Sequence, residues 1–458
     1  MNGKSLTKGT PWKLVLAFAL PIMAGNLLQQ LYNTADTIIV GNFESEAALS
    51  AVGTCNGLTM LFLSLAQGFS IGAGVIAAQL FGARKTEELR KRAGTSIILL
   101  TAMGIIVSII GVISCRFILK YILSVPDSLL DMAATYFSIY ALGLAFQFGY
   151  NIIAALLRSV GDSKAALYFL LISSIVNVAL DMLFVAVFHW GVAGAAIATV
   201  ISQLASCAAS FLYIYKKYPL FRFKRKEISF DKKIAGEVLR TGAPMAIQQA
   251  IISCGFFFLQ RHVNSYGEYM TASFTVAIRI ESYMLLPTGA LQNTMVTYCG
   301  QNIGAGKIDR ITKGIKHTLI LALTITFILS FFLFTFSKQI IGLFGINGQS
   351  LIYCTQHIRS MSFGYLVFAA YFPCLGLFQG VGRGFFATLL STIALGVRVL
   401  FAYTLCYIPF IGYASIWWCQ PLGWLIAAIV NYIYFFKGKW KHKDIFNKLP
   451  AGSLDESL

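Results

Sequence analysis

Long apolar runs alternate with short turns rich in glycine and charge along the whole chain. A helix that crosses a bilayer needs about twenty predominantly apolar residues. Twelve runs reach that length: 13–40, 47–81, 93–115, 131–158, 164–188, 191–215, 236–262, 268–302, 314–336, 350–381, 384–408 and 412–436. Turns such as Gly82-Ala83-Arg84-Lys85 and Gly161-Asp162-Ser163-Lys164 separate them. Several runs exceed the hydrocarbon thickness, which predicts tilt, bending or protrusion into solvent. The pattern therefore predicts an all-α polytopic membrane protein with twelve transmembrane helices.

The twelve runs form two copies of one unit. Ala243-Pro244-Met245-Ala246 repeats Leu20-Pro21-Ile22-Met23 at an offset of 223. Gln301-Asn302-Ile303-Gly304-Ala305-Gly306-Lys307 repeats Gln79–Lys85 at 222, and Gly380-Val381-Gly382 repeats Ser159-Val160-Gly161 at 221. Each copy holds six spans, an even number, so both insert the same way round. This gives an N-terminal lobe over 1–215, a basic cytoplasmic linker over 216–235, a C-terminal lobe over 236–440 and a cytoplasmic tail over 441–458.

Composition agrees: 57% of the 458 residues are hydrophobic and 12% charged, which excludes an ordinary soluble domain. The net charge of +18 invites a nucleic-acid reading, but its distribution argues otherwise. With the N-terminus inside, the inner loops collect Arg84, Lys85, Arg90, Lys91 and Arg92, the many bases of the linker, then Lys307, Arg310, Lys313 and Lys316. The outer loops hold only Arg116, Lys120, Arg261 and Lys338. That asymmetry is a topology signal and predicts both termini in the cytoplasm. Before the first span stands only a short basic lead (Lys4, Lys8, Lys13), and the span is too long for a cleaved signal peptide. The nine cysteines never form a CxxC pair and predict neither a disulfide framework nor a zinc site.

Chemistry concentrates in the first half. From Pro21 to Val40, helical spacing puts Asn26, Gln29, Gln30, Asn33, Asp36 and Thr37 on one face. A carboxylate inside an apolar span costs on the order of 2.5–3.5 kcal/mol, so it faces a bundle interior or a wet cavity and marks function. Pro21 lacks an N–H and can bend the helix near its start. Only Asp181 and Glu281 join Asp36 well inside apolar spans. Asn177 lies one turn before Asp181, Gln147 and Asn151 share a face, and so do Thr199 and Gln203. Such oxygen ligands suit a hard cation such as Na⁺, or a carboxyl that takes and releases a proton. The second half does not repeat the set. Leu259 replaces Asp36, Arg398 replaces Asn177 and Ala402 replaces Asp181, leaving Glu281, Arg279 and Arg398 with an expected structural role. The five histidines fall at span ends or in loops, and no Walker or nucleophile–base motif is present, so no enzyme is expected.

These residues resemble the multidrug and toxic compound extrusion (MATE) family, over nearly the whole chain. The most specific parts are Leu20-Pro21-Ile22 leading to Asp36-Thr37, the two Gln79–Lys85 and Gln301–Lys307 copies, and Asn177–Asp181. The resemblance implies two six-helix lobes related by a pseudo-twofold, with a central cavity that opens to either side in turn. It implies efflux of amphipathic, usually cationic, drugs across the inner membrane, driven by inward Na⁺ or H⁺ and without a resident cofactor. In the DNA-damage-inducible branch it makes Asp36, Asn177, Asp181 and Thr199 look like cation ligands, with Asn151 nearby. Gln29, Asn33, Gln147 and Gln203 are then expected in the substrate cavity. Other branches use acids in the seventh and tenth spans, which this chain lacks. A monomer is expected. The rival reading is a flippase for a lipid-linked sugar, which would need several intramembrane arginines where only Arg279 and Arg398 stand.

Overall fold

The computed structural model describes residues 3–44, 46–123, 125–222, 230–409 and 411–441. The linker residues 223–229 and the tail residues 442–458 lie outside the described residues. Helices account for nearly all of the rest: α1 (Pro11–Phe43), α2 (Glu46–Gly82), α3 (Thr86–Phe117), α4 (Asp127–Leu142), α5 (Leu144–Ser159), α6 (Lys164–Asp181) and α7 (Gly191–Lys217) come from the first half. The second half supplies α8 (Lys232–Asn264), α9 (Glu268–Gly304), α10 (Ile308–Thr335), the short α11 (Ser337–Gly342), α12 (Gly348–Gly380), α13 (Gly384–Thr404) and α14 (Ser415–Phe436).

Each of the twelve expected runs is helical among the described residues, one of them as a broken pair. Among the described residues nine helices are long and apolar enough to cross a membrane alone, and a tenth span is a broken pair. That pair is α4 and α5, bent by 42°, where the sequence reads as one run. The break falls at Gly143, whose N–H bonds the Tyr140 carbonyl three residues back at 2.9 Å, tightening the ladder. A Cβ there would lie 2.4 Å from Gln203 Oε1, so the glycine also admits α7. The long but more polar α8 and α9 complete the twelve.

The helices are apolar outside and small inside, the reverse of a soluble bundle. On α3, Ile105, Ile106, Ile109, Ile110 and Ile113 are exposed, while Gly104, Ser108, Gly111 and Cys115 are buried at helical spacing. Lipid tails are as apolar as isoleucine, so close packing of small residues rather than water drives association. Gly104 admits Phe148 and Gly111 admits Ala141, and Ser108 Oγ accepts the Ala145 N–H at 3.1 Å.

The chain forms two compact units. The first is built from Leu20–Ala78 and Lys85–Ala250, the second from Ser5–Ala19, Gln79–Arg84 and the residues from Ile251 onward. In the first, α7 packs on α4, α5 and α6, and α3 packs on α4 and α5. Gly68 and Gly72 of α2 meet the backbone of Ala246 and Gly242 in α8. In the second, α9 and α12 form the central pair, with α10 and α14 against α12 and α13 against α14. Gly376 and Gly380 of α12 touch the carbonyls of Gln292 and Val296 in α9.

The duplication is visible in the backbone. Gly161 and its counterpart Gly382 both take left-handed φ, at 90° and 85°. Arg84 and its counterpart Gly306 do the same, at 58° and 70°. A residue without a Cβ meets that conformation at no steric cost, and Arg84 adopts it against its preference.

A strap precedes α1 in the second unit. Leu6 N–H donates to Gln301 Oε1 at 2.7 Å, and Lys307 Nζ donates to the Thr7 carbonyl at 3.1 Å. Arg310 donates to the carbonyls of Gly9 at 2.9 Å and Leu6 at 3.4 Å. Leu6 and Thr7 are buried.

Candidate functional site

In the first unit α1 runs beside α6 in the same direction. Gly25 accepts Leu170 as a neighbour, and eleven residues later on each helix Asp36 meets Asp181. Two carboxyls side by side cannot both hold a full negative charge at low cost. Asp181 and Asn177 are buried and Asp36 is half-buried. Neither oxygen of Asp181 has a hydrogen-bond partner, nor do Asp36 Oδ1 and Asn177 Oδ1. Buried acceptors of this kind are expensive unless something donates to them. Four oxygen atoms without donors on two neighbouring helices fit a shared proton or a small hard cation.

Aromatic groups complete the surroundings. Tyr136 on α4 is buried in the neighbourhood of Asp36 and Asp181. Tyr32, one turn before Asp36, contacts the Gln29 side chain. Tyr140 lies near Tyr32, contacts Gln203, and stacks on Tyr136 at a ring separation of 6.3 Å. Sequence reasoning did not single out these tyrosines, although the four-residue spacing of Tyr32 and Asp36 was available. The apolar cluster behind the pair includes Phe137, Val185, Ala195 and Ala196. A π-helical turn, Met182–Val187, starts immediately after Asp181; such turns recur at functional sites.

The other expected residues take different places. Asn151 is buried and donates to the Gln147 carbonyl at 2.8 Å. Thr199 donates to the Ala195 carbonyl at 3.0 Å. Among the described residues no hydrogen bond joins either of them to the acid pair. Asn26, Gln29, Gln30, Asn33, Gln147 and Gln203 are all half-buried. The Thr37 side chain lies outside the described residues.

The second unit holds its own charged cluster. Glu281 on α9 is buried and accepts a hydrogen bond from Gln420 Nε2 on α14. Arg398 on α13 lies in the same neighbourhood as Glu281, His357 and Cys419. His357 was expected near a span end; instead it is buried in α12, its ring 5.7 Å from Phe274 and 6.3 Å from Trp417.

Among the described residues, helical spans in a duplicated pattern, with an acid pair without donors on neighbouring helices, point to a polytopic membrane transporter. The MatE family model matches residues 21–183 and 244–404, one stretch in each half. The chain belongs to the MatE family, whose members are transporters and not enzymes. It is 26% identical over 452 residues to the probable multidrug resistance protein YpnP of Bacillus subtilis, covering 98% of this chain and 100% of that one. It is 28% identical over 447 residues to the probable multidrug resistance protein YoeA of the same organism, covering 96% of each. Among solved structures it superposes on an outward-facing multidrug resistance MATE family transporter with a TM-score of 0.88, at 25% identity, covering 94% of this chain and 96% of that one.

Proposed function

We propose that the protein exports amphipathic, mainly cationic compounds across the cytoplasmic membrane in exchange for inward Na⁺ or H⁺, by alternating access. The observation that carries this reading is the contact of Asp36 with Asp181, whose buried oxygens lack donors. An ion or proton entering there neutralises the pair and removes the cost of holding its charge in a low dielectric. The neutralised α1 can then bend at Pro21, which lies within the helix, and reshape the cavity that holds the drug. Drug and cation thereby favour different states of one element, and this difference is the coupling. The names of YpnP and YoeA support a drug as cargo. The lysine and arginine distribution supports cytoplasmic termini.

A flippase for lipid-linked sugars would require free intramembrane cations to face a polyanion. Arg398 instead lies in the neighbourhood of Glu281, and Arg279 is exposed. The test is accumulation of ethidium or norfloxacin in an efflux-deficient strain, with Na⁺ and pH varied separately. Lower accumulation that depends on one of the two cations is expected. Export that ignores both would overturn the coupling, and no export of either compound would overturn the cargo.

A further inference from the structure

A groove of about 790 Å³ lies between α12 and α14 in the second unit, and none of the acids or arginines described above lines it. Val367 and Ala370 wall it on one side, Leu425, Ile429 and Ile433 on the other. The three α14 residues recur at steps of four and are exposed, so the groove opens at the surface. On a helix that crosses a bilayer such a face meets lipid. The floor is fixed: the Tyr432 hydroxyl donates to the Ala370 carbonyl at 2.9 Å, and Asn431 Nδ2 donates to the Tyr371 carbonyl at 3.2 Å. With that hydroxyl engaged, Lys437 is the one lining side chain with a polar group left to offer. It stands at the end of the groove because the helix stops there. Its N–H closes on the Ile433 carbonyl at 3.0 Å, and Trp440 turns back to donate to the Phe435 carbonyl at 3.0 Å. Both Lys437 and Lys441, one turn beyond, are exposed, and among the described residues no carboxylate pairs with either.

Length and polarity both match one kind of molecule. From Leu425 to Lys437 the wall runs for about 18 Å, at 1.5 Å per helical residue. Half of a hydrocarbon core ~30 Å thick is about 15 Å. The apolar stretch thus spans one leaflet, with its single charge at headgroup depth. Apolar walls offer water no hydrogen bond, but they offer a hydrocarbon tail a continuous line of dispersion contacts. A lysine ammonium is a compact charge that binds a phosphate from one end. On the proposed topology that end lies in the cytoplasmic leaflet, where anionic lipids attract basic residues beside a span. We infer that the groove between α12 and α14 is a binding site for an anionic glycerophospholipid, its tail laid along Ala370 and Ile429 and its phosphate held by Lys437. The naming of the leaflet rests on the proposed function; the match of groove to lipid does not.

The test uses the purified full-length protein in phosphatidylcholine vesicles that carry a minor share of phosphatidylglycerol with a photoreactive acyl chain. Cross-linked peptides are mapped by mass spectrometry. Label is expected on α12 and α14 beside the groove, displaced by excess plain phosphatidylglycerol and not by excess phosphatidylcholine. Lys437→Gln should lower the affinity about fivefold, the effect of one lysine beside an anionic surface, and Lys437→Arg should keep it. Ala370→Phe, which fills the groove, should clear the label from both helices. Should that variant fail to fold, Lys437→Gln, an exposed change at a helix end, decides alone. Label spread evenly over other lipid-facing helices such as α3 would make the lipid a random neighbour and overturn the site. Equal displacement by phosphatidylcholine would overturn the anionic headgroup. Displacement by ethidium, or loss of label as the protein dimerises, would give the groove to a drug or to a second copy and overturn the inference too. Export is not part of this readout, so failure of the transport reading is told apart from failure here.

Discussion

Gly82 lies directly against the main chain of Gln301: a Cβ on it would sit 2.0 Å from the Gln301 carbonyl oxygen. Their repeat counterparts, Gly304 and Gln79, meet in the same way at 1.9 Å. The same close approach is thus made by a residue pair and by its repeat counterpart. Gly82→Ala and Gly304→Ala should therefore destabilise by similar amounts, about 1–3 kcal/mol of overpacking each. Thermal unfolding in detergent checks this. Unequal losses would show that the two contacts are not equivalent.

Asp36 and Asp181 are expected to act as one site. Asp36→Asn should reduce export to background while leaving protein in the membrane, and Asp181→Asn should do the same. The double variant should be no worse than either, because groups that act as a unit are not additive. Asn177→Ala, which removes the buried amide one turn before Asp181, should weaken the dependence on cation without abolishing export. Transport in vesicles at graded Na⁺ and pH separates these outcomes. Normal export by Asp36→Asn would remove the site.

Asp162 ties the end of α7 to the turn before α6. Its Oδ2 accepts from the hydroxyls of Tyr218 at 2.7 Å and Tyr213 at 2.8 Å and from Lys217 at 3.3 Å, and its Oδ1 accepts the Ala165 N–H at 3.2 Å. Burial works to raise the pKa of this carboxyl, but Tyr218, Tyr213, Lys217 and Ala165 together hold it below the ordinary aspartate value. A depressed native pKa means that the unfolded chain takes up the proton first. The stabilisation is thus complete above the ordinary value near 3.9 and drains away as pH falls through the lower native one. Asp162→Asn should cost about 1–3 kcal/mol at neutral pH and flatten the acid limb of stability against pH. An unchanged limb in the variant would show that Asp162 does not contribute to it.

The strap before α1 depends on Arg310, which holds two of its carbonyls. Arg310→Ala should speed hydrogen exchange and proteolysis at residues 3–10. The expected loss is about 1.5–3 kcal/mol, the range for hydrogen bonds to a charged donor. Exchange mass spectrometry reads the segment directly, and protection equal to wild type would refute the assignment.

Much of this architecture was legible in the residues. Apolar runs of membrane length gave the rods because a bilayer leaves a spanning backbone few alternatives to a helix. The repeat was legible because its turn glycines had to stay: Gly161 and Gly382 both occupy left-handed φ. Asp36 and Asp181 stood out singly by the cost of burying charge, but nothing local says which helix a carboxylate will face. Their meeting depends on α1 lying beside α6 in parallel register. The break at Gly143 was not legible because the close neighbour that favours a glycine there, Gln203, lies sixty residues away. His357 looked like an end residue because its apolar run starts only at 350, whereas α12 is already buried at Ser350.

The strap also bears on how the protein is handled in the laboratory. Any fusion placed ahead of Ser5 hangs from a backbone that Gln301, Lys307 and Arg310 hold fast. A bulky partner there would pull on the same grip that seats the first helix. Purification handles are better carried at the opposite terminus, so that the leading residues keep their seat.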